Sequence, residues 1–170
     1  MPSQRARTKL IASIILINVV VDQVTKLIAQ ATLTSRTVHF LGDLVRLRLS
    51  QNTGAFLSLG ASLSPALRFW IFTVISTALV VWVTVYALRT DDLPDDGIVA
   101  MAFVAGGGFS NLIDRVVRNG HVVDFLNFGI GNLRTGILNV ADMAIFFGAL
   151  YVMWVSVRTG RASPDTGGSS

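Results

Sequence analysis

The sequence predicts an all-α membrane protein of four transmembrane helices, with a little β-structure in its extracytoplasmic connections. Three observations predict it. Mean hydropathy is +0.61 and 14% of residues are charged, against about 25% in an ordinary soluble domain. Four apolar stretches, at about residues 10–29, 66–88, 97–115 and 137–157, approach the length that crosses a bilayer. The polar side chains that interrupt them gather toward one end of the spans. Residues 1–158 of the 170 thus read as a single integral membrane domain, and 159–170, rich in Ser, Gly and Pro, as a disordered tail.

Arg5, Arg7 and Lys9 lead into the first apolar run. A charged leader, an apolar run and Ala29-Gln30-Ala31 also fit a cleavable signal peptide. Continuation of the run through Asp22, Lys26 and Ala29 to spanning length favours an uncleaved helix. In the connection 30–65, Leu44-Val-Arg46-Leu-Arg48-Leu49 alternates apolar and basic residues, the period of a strand with one wet face. The following Asn52-Thr-Gly54-Ala-Phe56 has turn chemistry.

Within the second span the one charge is Arg68, and Arg89 to Gly97 makes a polar turn marked by Pro94. Gly106, Gly107 and Gly108 give the third span a bare surface where another chain can approach closely. Residues 116–136 form a second long connection holding Asp124 between Val123 and Phe125, and Asp142 opens the fourth span. Basic residues before the first helix and after the last put both termini in the cytoplasm, which an even number of spans allows.

A net charge of +4 and a pI near 10.3 come from singly scattered basic residues, without the basic face that nucleic acid requires. With no cysteine in the chain, thiol nucleophiles and thiolate metal sites are excluded. His39 and His121 lack the spacing of zinc ligands. Hydrolytic chemistry, if present, falls to carboxylates, hydroxyls or lysine.

A helix rises 1.5 Å per residue, so Asp22 stands roughly 18 Å and Lys26 roughly 24 Å above Leu10 in a bilayer core about 30 Å thick. Asn111, Asp114 and Arg115 end the third span, and Asp142 lies roughly 7 Å down the fourth. These groups share one leaflet with Asn52 and Asp124, and polar groups in a membrane face a protein interior or a wet cavity. One shallow polar pocket accounts for all of them.

Structural roles are available for several. Asp22 and Lys26 are spaced as a helical ion pair, as are Asp114 and Arg118, and Asn139 with Asp142 fits an N-cap and its acidic third residue. Asp124, between bulky apolar neighbours, has no such role. If Asp124 and Asp142 face each other, one keeps a proton, and the pair can activate water while protonating a carbonyl oxygen. A proton or ion relay through Asp22, Lys26, Asp114 and Asp142 is the competing reading, although a relay spreads polar groups over both leaflets and the inner halves here are apolar.

Five motifs in order, Asp22-Gln-Val-Thr-Lys26, Asn52-Thr-Gly54-Ala-Phe56, Asn111-Leu-Ile-Asp114-Arg115, Val123-Asp124-Phe125 and Asn139-Val-Ala141-Asp142, resemble those of the lipoprotein signal peptidases (signal peptidase II). The resemblance runs from Asp22 to about Trp154. It implies a small extracytoplasmic β-sheet and a catalytic dyad of Asp124 and Asp142. Asn52, Gly54, Asn111, Asp114, Arg115, Asn139 and Ala141 would shape the site or bind substrate, with Asp22 and Lys26 supporting it. The implied enzyme is a monomeric aspartic endopeptidase of the bacterial cytoplasmic membrane, in contact with membrane lipid and using no cofactor. It cuts diacylglyceryl-modified prolipoproteins before the lipidated cysteine, close to the extracytoplasmic surface, and is inhibited by globomycin. Gly108 and Ser110 stand where alanine and glycine are frequent, and Leu138 where phenylalanine is usual; the proline common before the last helix is missing from Leu133 to Gly136.

Overall fold

The computed structural model describes residues 3–52, 63–64, 66–67 and 70–161. Gly54 and the rest of the turn expected after Asn52 lie outside the described residues, as do Arg68 and residues 162–170. Four helices are long and apolar enough to cross a membrane. They are α1 (Gln4–Thr32), α2 (Trp70–Arg89), α3 (Asp95–Val117) and α4 (Val140–Arg161).

The first and last depart from their expected limits for local reasons. Ser3 accepts a hydrogen bond from the Ala6 N–H and starts α1 well before the apolar run. Arg7, on that extension, is buried and donates to the carbonyls of Ala87 and Thr90. It thereby caps the C-terminal end of α2, where a cation is electrostatically favoured. Asn139 caps α4, so residues 137–139 precede that helix instead of beginning it, and at the other end helix replaces the expected tail as far as Arg161. The first six residues of α2, Trp70–Ile75, are π-helical.

α3 is the central helix, far more of it being buried than of the other three. Its three glycines make that position possible. A Cβ on Gly106 would meet Ile15 and Asn18 of α1, one on Gly107 the Ala141 carbonyl and Ile145 of α4, and one on Gly108 would overlap Val80 of α2. Consecutive helical positions point about 100° apart. The triplet therefore admits three neighbouring helices at one level.

The connections hold a four-stranded antiparallel sheet in the order β1 (Val38–Phe40), β2 (Val45–Asn52), β3 (Val122–Ile130), β4 (Leu133–Arg134). Residues 116–136, expected to be a glycine- and asparagine-rich connection, thus supply its two later strands. Val122 to Phe125 are buried on both faces, so they show no alternation of apolar and polar residues. Ala29, Leu33 and Phe125 pack with Val38, Leu47, Leu49, Leu126 and Val140, fastening the sheet to the ends of α1 and α4. A bridge between Leu126 and Leu138 extends β3 to the residue just before the cap of α4.

Candidate active site

Asp22 and Lys26 are one turn apart on α1 and fully buried, with Lys26 Nζ 2.6 Å from Asp22 Oδ2 and 2.9 Å from Asp114 Oδ2 on α3. Buried ions are tolerated when their remaining hydrogen bonds are made. Here they are. Asp22 accepts from Ser110 Oγ at 2.6 Å and from the Ala141 N–H at 2.8 Å, the latter reaching the first turn of α4. Asp114 accepts from Gln23 at 3.0 Å, from Arg118 at 3.0 Å and from the Val123 N–H at 3.0 Å. The two helix ion pairs expected from spacing are both present, and they join α1, α3, α4 and β3 at one node.

Lys26 also donates to Asn111 Oδ1 at 3.1 Å, and from there the network becomes one of amides. Asn111 Nδ2 donates to Asp142 Oδ1 at 2.9 Å, while Asn111 Oδ1 accepts from Asn139 Nδ2 at 3.1 Å. Asn139 and Asp142 form a reciprocal capping box: the Asp142 N–H donates to Asn139 Oδ1 at 2.8 Å and the Asn139 N–H to Asp142 Oδ2 at 3.1 Å. The second proton of Asn139 Nδ2 is thereby available to Asp124 Oδ1, at 2.7 Å. The capping role expected for Asp142 therefore coexists with a link to Asp124, because the cap residue bonds both.

Asp124 comes from the sheet. The β2–β3 register shifts between Leu47 and Ser50, setting Ser50 opposite Asp124 and Asn52 opposite Val122. Asn52 Nδ2 then reaches Asp124 Oδ2 at 2.9 Å. Asp124 is 1% exposed, and its carboxyl is pushed up to about 7, first by burial and second by the negative charge of Asp142. The amides of Asn52 and Asn139 and the charge of Lys26 pull the other way.

Asn111, Arg115 and Asp142 form the polar end of a cavity of about 520 Å³ between α2, α3 and α4. Leu79, Val80, Val104 and Ile145 line its apolar length. Arg115 is held by its own helix, donating to the Asn111 carbonyl at 3.2 Å. Of the residues singled out from sequence, all but Gly54 are described, and they converge on this one layer. Gln23 and Ser110 also belong to it but were not expected as site residues, Gln23 standing inside the first motif and Ser110 only as a departure from the family pattern; their signal is a polar side chain directly beside Asp22 and Asn111 in an otherwise apolar span. Among the described residues no group of His, Asp and Glu is placed to hold a metal ion.

A family model described as signal peptidase (SPase) II matches residues 14–158. The chain belongs to the signal peptidase II family. It is 36% identical over 148 residues to the lipoprotein signal peptidase of Bifidobacterium adolescentis, covering 82% of this chain and 75% of that one. With the lipoprotein signal peptidase of Treponema denticola it shares 39% over 132 residues, 75% of this chain and 76% of the relative. The fold is also that of a bacterial membrane enzyme solved by the in meso method at 2.3 Å resolution, with a TM-score of 0.77, 24% identity and 94% of each chain covered. As a signal peptidase II it is an endopeptidase and a multi-pass bacterial membrane protein.

Proposed function

We propose that this signal peptidase II removes the signal peptide from diacylglyceryl-modified prolipoproteins, cutting before the lipidated cysteine, with Asp124 and Asp142 as its catalytic dyad. The observation that carries the reading is the double use of Asn139. Its amide nitrogen bonds the Asp124 carboxyl, its backbone N–H bonds the Asp142 carboxyl and its amide oxygen the Asp142 N–H, so one residue holds both carboxyls.

Each carboxyl oxygen has two lone pairs, so the amide bonds leave room for a proton and a water molecule. Asp124, near neutral in its titration, is the member that carries the proton. The Asp142 carboxylate takes a proton from water as the oxygen attacks the scissile carbonyl carbon, and Asp124 gives its proton to the carbonyl oxygen. A tetrahedral diol results. Asp142 then protonates the amide nitrogen while Asp124 takes back a hydroxyl proton, the C–N bond breaks, and both carboxyls regain their starting states.

Arg115 and Asn111, at the polar end of the cavity, bind the carbonyls flanking the scissile bond, and Gly54 is assigned a site-shaping role. The cavity's apolar length suits the acyl chains or the hydrophobic part of the signal peptide. Both termini lie in the cytoplasm and the sheet outside, so the dyad meets substrate near the extracytoplasmic surface, with the enzyme working as a monomer and globomycin competing for the site. The test is a gel-shift assay on lipidated and unlipidated forms of one prolipoprotein, with the product mass giving the cut. Cleavage before the cysteine of the lipidated form alone is expected. Equal processing of both forms removes the lipid from the recognition.

A further inference from the structure

Proteolysis leaves one flank of α4 unused. Asp142, Ile145 and Ala149 line the cavity of the candidate active site, whereas Met143, Ala144, Phe147 and Tyr151 line a second groove, of about 710 Å³, whose other walls are α1 and α3. At the end nearest the dyad the Ala141 N–H donates to Asp22 Oδ1 at 2.8 Å and joins α4 to α1. A Cβ on Gly148 would meet the Ala100 carbonyl and Val104, so α3 and α4 close the floor, and Asn18 Nδ2 ties α1 to the Phe103 carbonyl at 3.3 Å. Ile17 and Phe147, on the two rims, are exposed. In a bilayer the groove therefore opens onto hydrocarbon.

Its dimensions decide what fits. From Val140 to Tyr151 the α4 wall runs about 16 Å, half of a hydrocarbon core about 30 Å thick and hence the reach of one leaflet's acyl chains. Spread over that length, the volume gives a cross-section of roughly 45 Å², about half that of a helix 10–12 Å across. The groove is too narrow for a transmembrane helix and wide enough for hydrocarbon chains.

Charge marks the opposite end. Asp96, in the first turn of α3, accepts from Tyr151 Oη at 3.1 Å and from Arg158 Nη2 at 2.9 Å. The Arg158 guanidinium lies 4.6 Å from the centre of the Trp154 ring, and its other nitrogens donate to no described residue. A carboxylate and an oriented guanidinium with free donors thus stand side by side, among the aromatic residues typical of a membrane interface. Guanidinium forks match phosphate oxygens. The carboxylate accepts hydrogen bonds from a primary ammonium, which a quaternary choline cannot donate, and it repels a headgroup of net negative charge.

We propose that this groove is a binding site for phosphatidylethanolamine, with the acyl chains between α1 and α4, the phosphate on Arg158 and the ammonium on Asp96. The lipid comes from the leaflet on the side where α3 begins and α4 ends. It fills the gap below the bond between Asp22 and Ala141, and so holds α1 and α4 at the spacing that this bond requires.

Native mass spectrometry of the full-length protein, offered phosphatidylethanolamine, phosphatidylcholine and phosphatidylglycerol in equal amounts, tests the site. One retained phosphatidylethanolamine is expected; equal retention of all three overturns the headgroup assignment, and a dimer in place of the lipid adduct overturns the occupant. Asp96→Asn is expected to lower the preference for phosphatidylethanolamine over phosphatidylglycerol about tenfold, the worth of one hydrogen bond to a charged group. An unchanged preference overturns the role of Asp96. Ala144→Phe fills the groove and leaves its charged end intact, so it tests the site even where Asp96→Asn does not fold. It is expected to lose both the adduct and the rise in melting temperature that phosphatidylethanolamine gives the parent. Retention equal to the parent's overturns the groove as the site.

Discussion

Two groups of carboxylates sit in the same layer of this membrane protein and are treated in opposite ways. Asp22 and Asp114 share Lys26, and Asp114 also meets Arg118, so each negative charge has a cation within ion-pair distance. Asp124 and Asp142 form no ion pair among the described residues; amides of Asn52, Asn111 and Asn139 hold them. A cation compensates the charge of a carboxylate. An amide orients it and leaves the charge standing, so that the neighbouring carboxyl feels it. The first group ties four elements together, and the second is left without a cation, which suits the acid–base role proposed for it.

Removing acid–base freedom without changing shape gives the largest expected effect. Asp124→Asn and Asp142→Asn keep side-chain volume and each lower cleavage of lipidated prolipoprotein by at least about 10³-fold, within the range of a lost general acid or base. Melting temperatures stay near that of the parent. Turnover within tenfold of the parent by either variant would place the chemistry elsewhere. Lys26→Met is the converse change. It strands Asp22 as a buried charge and leaves Asp114 to Arg118 alone, and loss of one partner from a buried pair costs about 3–5 kcal/mol. Thermal unfolding in detergent checks this; a variant that melts normally but fails to cleave would make Lys26 part of the chemistry and erase the contrast.

The sequence shows one of these groups more plainly than the other. Asp22 with Lys26 and Asp114 with Arg118 are legible because helical spacing puts them on one face, and helix rise alone sends all the interrupting polar residues to one leaflet. Asn139 with Asp142 is legible as a cap. What periodicity leaves hidden is the strand that delivers Asp124, since Val122, Val123 and Phe125 are buried along with it and the period-two signal vanishes. The register shift that brings Asn52 to Asp124 depends on pairing between segments about 70 residues apart, which no local pattern encodes. Basic residues were equally opaque. Arg7 looks like a topology signal, yet the fold uses it as a helix cap, and Arg134 clamps β4 to β3.

A smaller effect follows from the titration of Asp124. Its carboxyl sits at about 7 in the folded protein and about 3.9 in an unfolded chain. A raised value means that this group's contribution to stability is complete below about pH 4 and is lost as pH rises through about 7. The acid form needed to protonate the carbonyl oxygen disappears over the same upper limb, so kcat/KM is expected to fall about tenfold per pH unit beyond it. Asn52→Ala removes a bond that lowers the value, and the alkaline limb then moves to higher pH. A profile flat from about pH 6 to 9 would deny Asp124 the acid role.

The smallest change tests whether the two groups are separable at all. Ser110 Oγ donates to Asp22 Oδ2 at 2.6 Å and accepts from Gln23 at 3.0 Å, while Asp22 bonds the Ala141 N–H one residue before Asp142. In Ser110→Ala, Asp22 keeps Lys26 and Ala141, and Gln23 keeps Asp114 and the Ser110 carbonyl. The loss is thus one hydrogen bond to a charged group, about 1.5 kcal/mol of stability, with kcat unchanged if the ion cluster only supports the fold. A fall in kcat of tenfold or more at unchanged KM would show that Ser110 sets the dyad through Asp22 and Ala141. The cation-paired carboxylates would then be positioning residues of the same reaction, and the division drawn between the two groups would lie one residue deeper, at Asn111, where lysine gives way to amide.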